Sequence, residues 1–275
     1  TLGQEFHAFA NNLREDLELL KTLGQDLFVP VNLGGTAIGT GINADPRYQG
    51  IAVERLADIS KFPIKAATDL VEATYDMGSF VLFSGLLKRL ATKLSKTCND
   101  LRLLSSGPRT GIHEINLPAR QPGSSIMPGK VNPVIPEAVN QIAFEIEGND
   151  MAITMAAEAG QLQLNVMEPL IAWKMFDSVR LLSRGMTMLR EQCVEGITAN
   201  EECCRNMMER SIGLVTALNP YIGYENSSRI AKKALKTGCG VLELVREEKL
   251  LDEDMLADIL KPEHMIAPRL VKQKS

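Results

Sequence analysis

Residues 80–104 read FVLFSGLLKRLATKLSKTCNDLRLL, and this stretch contains the clearest indication of the fold class. Its apolar side chains recur every three or four residues, at Phe80, Phe83, Leu87, Leu90, Leu94, Cys98, Leu101 and Leu104. This period places them on one face of an α-helix. The helix is expected to end at Ser105–Pro108, which read SSGP. Because Pro63 is compatible with a first helical turn, the pattern allows a helix of more than about thirty residues.

Three further segments have the same helical period. The first runs from Leu2 to Leu20, the second begins near Pro136, and the third follows Pro169 and reaches Cys193. Helices of this length bury their apolar faces by packing side by side. No segment alternates apolar and polar residues over the length of a strand. We therefore expect an all-α fold, an elongated bundle of long helices, with almost no sheet.

The long helical period stops near Gly196, where a second domain is expected to begin. Asn200 followed by Glu201 and Glu202 is a favourable helix start, because the asparagine is a good N-cap and the acids suit the first turn. We predict a central helical-bundle domain over 1–198 and a small helical C-terminal domain over 199–275. Short helices are expected in the second domain at about 201–218, 226–237 and 253–260, the last capped by Asp252.

The composition is that of an ordinary globular protein, with 275 residues, 45% hydrophobic and 23% charged. The 30 basic and 34 acidic side chains give a formal net charge of −4, and no extended block of Lys or Arg is present. We therefore expect neither nucleic acid nor a membrane as a partner. The longest uncharged stretch, residues 27–44, is too short and too polar for a membrane span.

The cysteines and histidines indicate a reduced protein without a metal centre. The five cysteines are odd in number, and only Cys203 and Cys204 are close in sequence, as direct neighbours. We expect five reduced thiols and a cytoplasmic protein. The three histidines are far apart and belong to no Cys/His cluster. No metal and no bound cofactor are expected.

Two loops are open to both a structural and a functional interpretation. The glycines of 34–41 either let the backbone approach a bound anion or are required by a crowded turn. Because glycine adopts many backbone conformations, the turn is the favoured interpretation. Arg109 either grips a carboxylate or satisfies the carbonyls at a helix end. His113 beside Glu114 suggests acid–base chemistry, but side chains adjacent in sequence usually point apart.

The loop 123–133, GSSIMPGKVNP, is the strongest candidate for a functional site. Glycines stand near both ends of a polar segment that carries two hydroxyls and a cation, and a helix start follows. A serine hydroxyl acts as a base only where donors and positive charge stabilise its alkoxide in a closed site. As a nucleophile it would require a histidine, which the loop lacks. The alternative is an ordinary Ser/Gly/Pro connection with Lys130 in solvent.

This loop resembles the signature loop of the aspartase/fumarase superfamily. The resemblance extends along essentially the whole chain, through residues 34–41 (GGTAIGTG), 99–109 (NDLRLLSSGPR) and 216–224 (TALNPYIGY). Segments 132–141 (NPVIPEAVNQ) and 156–169 (AAEAGQLQLNVMEP) are similar to the aspartase branch rather than to fumarases. The resemblance implies an ammonia-lyase that interconverts L-aspartate with fumarate and ammonia.

The resemblance also implies roles for five residues. Ser124 corresponds to the general base that removes the Cβ proton and forms an enolate-like intermediate. Ser125, Lys130 and Asn132 correspond to residues that hold the substrate carboxylates, with Lys130 also stabilising the developing charge. Glu137 corresponds to an acid that pairs with a family histidine.

The family has a longer chain and a shared active site. Relatives carry a further N-terminal domain and a Thr–His motif before the segment that matches 1–6, so we expect this chain to be a fragment that is inactive alone. Relatives form homotetramers through long central helices, and their active sites are built from three subunits. The apolar residues that repeat along 80–104 are consistent with a helix of such a shared core. Two alternatives remain open: fumarate hydratase, and a non-catalytic helical scaffold of the same fold.

Overall fold

The computed structural model describes residues 1–122, 127 and 130–268, and within these ranges the chain is all-α. The helices are α1 (Leu2–Leu27), α2 (Tyr48–Ser60), α3 (Gly78–Leu104), α4 (Val134–Glu158), α5 (Glu168–Gln192), α6 (Glu201–Arg210), α7 (Leu214–Thr237), α8 (Val241–Glu247) and α9 (Glu253–Ile259). Short 3₁₀ turns occupy Glu72–Thr74, Val194–Gly196 and Pro262–His264. No helix in the described ranges combines the length and the apolar character that crossing a bilayer requires.

The strands are only two residues long and form two separate pairs. β1 (Pro30–Val31) pairs in parallel with β2 (Lys65–Ala66), and β3 (Ile115–Asn116) pairs antiparallel with β4 (Thr198–Ala199). The near absence of sheet that the sequence predicts is confirmed in the described part of the chain.

The chain divides into two compact units. The bundle unit contains Phe6–Ser105 and Leu117–Ile197, and the C-terminal unit contains Thr1–Glu5, Ser106–Asn116 and Thr198–Ser275. In the C-terminal unit, α7, α8 and α9 enclose a core that includes Leu218, Ile230, Val241, Val245 and Leu256. The predicted domain boundary at 198/199 remains a proposal.

The core of the bundle unit lies where α4 packs between α3 and α5. It contains the buried residues Leu87, Leu90, Leu94, Cys98 and Leu101 of α3, Val139, Ala143, Ile146 and Ile153 of α4, and Ile171, Met175, Leu182 and Leu189 of α5. Burial of each large aliphatic side chain contributes about 1.5–3 kcal/mol to folding. The buried residues of α3 between 87 and 101 belong to the apolar series that predicts this helix. The face that the helical period makes apolar is therefore the face that is buried in the core.

The predicted extension of α3 back to Pro63 is wrong, because α3 begins at Gly78. Lys65 and Ala66 are held in an extended conformation by their pairing with β1. The Asp69 carboxylate then accepts a 2.8 Å hydrogen bond from the Val71 amide and turns the chain before the helix. The helix α2 was not predicted, because apolar side chains such as Ile51 and Ile59 face solvent and do not form a core-facing ladder.

The predicted helices of the C-terminal unit are partly corrected. The expected helix 201–218 ends at Arg210, because Ser211 is extended (φ −69°, ψ 130°). Pro220 does not end a helix but lies inside α7, whose break is at Gly223 with φ 78° and ψ 162°. The end of α7 at Gly238 is confirmed, and so is the Asp252 cap, whose carboxylate accepts a 2.7 Å hydrogen bond from the Met255 amide.

Candidate functional site

The candidate site is centred on the first turn of α4. The residue before a proline favours an extended conformation, so Asn132–Pro133 separates the loop from the helix. Pro136 is tolerated because the first turn of a helix needs no amide donor there. The Glu137 amide donates a 3.1 Å hydrogen bond to the Pro133 carbonyl, and its side chain is half-buried. An acid in the first turn is also favoured by the helix dipole.

The base of the loop is closed by a short antiparallel bridge between Pro122 and Val131. Lys130 lies exposed at its end, and its amide donates a 3.1 Å hydrogen bond to the Met127 carbonyl. Asn132 is half-buried, and its carbonyl accepts a 2.9 Å hydrogen bond from the Val134 amide. Lys130 and Asn132 thus lie in the segment directly before α4, and Glu137 lies in its first turn.

Three of the five predicted site residues, Lys130, Asn132 and Glu137, lie within the described ranges. Ser124 and Ser125 lie outside the described residues, so their roles remain predictions from the resemblance. The described part of the site supplies one cation, one amide and one carboxylate at a helix N-terminus, where the dipole favours an anion.

A polar network that the sequence did not indicate lies at the second turn of α4. Asn140 is only 3% exposed, and its side-chain nitrogen lies 3.0 Å from the Ser95 carbonyl, 2.8 Å from Ser95 Oγ and 3.1 Å from Asn99 Oδ1. Its oxygen accepts a 3.2 Å hydrogen bond from Nη1 of Arg102. Helical period predicts that the long helices pack side by side, but it carries no signal for which polar residue is buried between them.

The glycine loop before α2 has a structural requirement for glycine. Gly39 has a φ of +89°, and a Cβ there would lie 2.4 Å from the Leu70 carbonyl oxygen and from Val71 Cα. The crowded turn favoured by the sequence therefore accounts for this position.

The segment around His113 also has a structural role, within the C-terminal unit. The Asn200 side chain does not cap α6 as predicted. Its Nδ2 instead donates a 2.9 Å hydrogen bond to the His113 carbonyl. The thiols of Cys203 and Cys204 donate to the carbonyls of Ile112 and Glu114. These contacts attach residues 112–114 to the start of α6.

The buried thiols are poorly suited to nucleophilic chemistry. Burial raises the pKa of Cys98 to about 12, with a smaller contribution from Cys193. Burial likewise raises the pKa of Cys193 to about 11. Both groups are therefore thiols rather than thiolates at neutral pH. In the ranges that the structure describes, no three His, Cys, Asp or Glu side chains converge as a metal site.

Comparison with known proteins relates this chain to a family. Residues 1–148 match the family model described as lyase, and residues 214–267 match that of the fumarase C C-terminus. An aspartate ammonia-lyase of Pseudomonas canavaninivorans is 76% identical over 275 residues, which are 100% of this chain and 58% of that protein. The chain thus spans little more than half the length of this relative.

Solved structures show the same relationship. A fumarate lyase:delta crystallin from Brucella melitensis, bound to cobalt, is 57% identical with a TM-score of 0.92, over 98% of this chain and 58% of that one. A class II fumarase from Schistosoma mansoni is 33% identical with a TM-score of 0.88, over 96% of this chain and 58% of that one. Since the lyase model matches more than half of the sequence, including α3 and the entry to α4 with Lys130, Asn132 and Glu137, the chain belongs to the lyase family.

Proposed function

We propose that this chain belongs to an aspartate ammonia-lyase, which deaminates L-aspartate reversibly to fumarate and ammonia. One observation carries the proposal: every residue of the chain aligns with an aspartate ammonia-lyase at 76% identity. The segments 132–141 and 156–169, which are similar to the aspartase branch, support it further.

The proposed chemistry is general-base elimination. The Ser124 alkoxide takes the Cβ proton of L-aspartate, and the electrons of the C–H bond move into the adjacent carboxylate as an enolate-like dianion. Collapse of the dianion forms the Cα–Cβ double bond and breaks the C–N bond, so ammonia leaves. Ser125, Lys130 and Asn132 bind the carboxylates, and Glu137 pairs with a histidine as in the family.

Electrostatics support this assignment of the described groups. The dianion carries more negative charge on one carboxylate than the substrate does, so donors aimed at it lower the barrier. Lys130 and the N-terminus of α4 are sources of positive potential in this segment. In the absence of such groups a serine hydroxyl would not ionise near neutral pH.

The test is the formation of fumarate, followed by its ultraviolet absorbance, with the protein expressed from its complete gene. We expect turnover of L-aspartate and none of L-malate. Ser124→Ala is expected to lower kcat by about 10²–10⁴-fold, the usual contribution of a general base. Ser183→Ala, a change of the same kind at an exposed position of α5, is the control and should retain kcat.

The second candidate is fumarate hydratase. It is favoured by the match of residues 214–267 to the fumarase C C-terminus and by the structural similarity to a class II fumarase. Turnover of L-malate with no turnover of L-aspartate would select it. Turnover of neither substrate by folded protein would favour a non-catalytic scaffold of the same fold.

We further propose a cytoplasmic homotetramer. Apolar side chains on α4 and α5 remain exposed at Phe144, Met151, Met155, Trp173 and Phe176. Several large exposed apolar side chains on two helices that pack together are typical of an interaction site. The five free thiols are consistent with a reducing compartment.

A further inference from the structure

The amide of Asn140 connects the end of α3 to the start of α4 within the bundle unit. Its nitrogen faces Ser95 and Asn99 of α3, and its oxygen faces Arg102 in the last turn of α3. The same side chain therefore acts as donor and acceptor, and it is almost completely buried. A buried polar group with all its partners present holds one specific arrangement, since any displacement leaves a group unsatisfied.

Apolar packing alone does not fix the position of α4 along α3. Val139 and Ala143 of α4 are buried beside Leu94 and Leu101 of α3 in one core, but burial of apolar area has no direction. Hydrogen bonds to Asn140 require defined distances and angles. They therefore set the rotation and axial position of the first two turns of α4.

These turns carry the proposed site. Glu137 is three residues before Asn140, a spacing at which two side chains lie on the same face of a helix. We propose that Asn140 is a positioning residue: its hydrogen bonds to Ser95, Asn99 and Arg102 hold Glu137 and the segment 130–132 in the geometry that the reaction needs. This inference rests on the proposed function and names a residue that acts on the same site.

The same helix offers a matched control. Asn149 is 1% exposed, and its Nδ2 donates a 3.1 Å hydrogen bond to Ser178 Oγ of α5. It shares the residue type, the burial and the helix with Asn140, but it lies more than two turns further from the site. Replacement of either asparagine by alanine removes a buried amide hydrogen bond, so both variants lose stability.

The experiment compares Asn140→Ala and Asn149→Ala in the protein expressed from its complete gene. For Asn140→Ala we expect kcat for L-aspartate to fall about 10–100-fold, the effect of a displacement of about 1 Å in a catalytic group, with a smaller change in KM. Asn149→Ala should retain kcat within about twofold, although its Tm also decreases. If the two variants lose kcat equally, the positioning role is overturned.

A double-mutant cycle tests whether Asn140 acts through Glu137. If it does, Asn140→Ala lowers kcat much less in a Glu137→Gln background than in the unmodified protein. Losses of kcat that multiply independently would overturn the role of Asn140 in positioning Glu137. Should Asn140→Ala fail to fold, Ser95→Ala replaces it, because it removes only the 2.8 Å contact with Ser95 Oγ. Ser95→Ala is expected to lower kcat with little change in Tm, and an unchanged kcat would contradict the proposal.

Failure of the inference and failure of the proposed function are distinguishable. If the unmodified protein deaminates L-aspartate but Asn140→Ala behaves as Asn149→Ala does, only the inference is overturned. If the folded unmodified protein does not deaminate L-aspartate, the proposed function is overturned and this inference with it.

Discussion

The buried carboxylate of Asp150 in α4 accepts a 2.8 Å hydrogen bond from the hydroxyl of Ser84 in α3. Nζ of Lys88 lies 2.5 Å from the other oxygen of the same carboxylate, and Asp150 is 7% exposed. A charge in this environment needs all its partners, because removal of one leaves a buried group without compensation.

Ser84→Ala is therefore expected to destabilise the bundle unit. A hydrogen bond to a charged group contributes about 1.5–3 kcal/mol, so the free energy of unfolding in urea should fall by about that amount. Ser183→Ala, at an exposed position of α5, makes the same change in helix propensity without the buried contact and should alter stability by less than about 0.5 kcal/mol. Equal effects of the two variants would show that the Ser84–Asp150 contact does not stabilise the fold.

Gly39→Ala and Gly50→Ala should have opposite effects. At Gly39 a methyl group would meet the backbone of residues 70–71 at 2.4 Å in a left-handed conformation, so we expect a loss of more than about 2 kcal/mol. Gly50 lies in α2 with open space around its Cβ position, and alanine there should stabilise by about 0.5–1 kcal/mol. Thermal unfolding of the two variants tests this, and a neutral Gly39→Ala would refute the crowded-turn explanation.

The thiols should react with iodoacetamide in an order set by burial and pKa. Cys239 is exposed and should react first, whereas Cys98 and Cys193 are buried with raised pKa values and should react only after denaturation. Burial raises the pKa of Cys204 too, and the nearby Glu114 adds to the shift, so it should react more slowly than Cys239. Peptide mass spectrometry of native and denatured protein at pH 8 gives the order. Early labelling of Cys98 would contradict the buried position.

The same pKa shifts predict alkaline destabilisation. Cys98 keeps its proton in the folded state up to a pKa of about 12, while the unfolded thiol loses it near the ordinary pKa of 9.0. Above about pH 9 the unfolded state therefore binds fewer protons, and the free energy of unfolding falls as pH rises. In Cys98→Ala the slope of stability against pH between about 9 and 11 should be less steep. An unchanged slope would exclude Cys98 as a source of the effect.

The proposed tetramer can be tested at Phe176, which is 74% exposed on α5. Phe176→Lys places a charge on the apolar surface of α4 and α5 and should weaken assembly in analytical ultracentrifugation, because a buried unpaired charge is unfavourable. Tyr224→Lys, at a residue 78% exposed in α7, is the control and should leave assembly unchanged. A well-behaved monomer at all concentrations would overturn the proposal.

Much of the helical fold can be predicted from local sequence. The end of α3 after Leu104 and the start of α5 around Pro169 agree with the pattern, because core-facing residues repeat with the helical period and Gly or Pro marks their limits. The same reasoning missed α2, whose apolar side chains such as Ile51 are exposed, and α8, which is only seven residues long. It also missed the continuation of α7 past Pro220. Of the candidate site, the loop 123–133 was recognisable from its residues, but Asn140 was not.

The sequence by itself determined the helical class and the order of the long helices, because the period of apolar residues is a local property of the chain. It also contained the motif that relates the loop 123–133 to its family. Only the tertiary structure decided which polar groups are buried between helices. Asn140 meets Ser95, Asn99 and Arg102, and Asp150 meets Ser84, because packing brings together residues that are far apart in sequence. Apolar period sets which face of a helix is inside, whereas the directional contacts that fix its exact position exist only once the helices have packed.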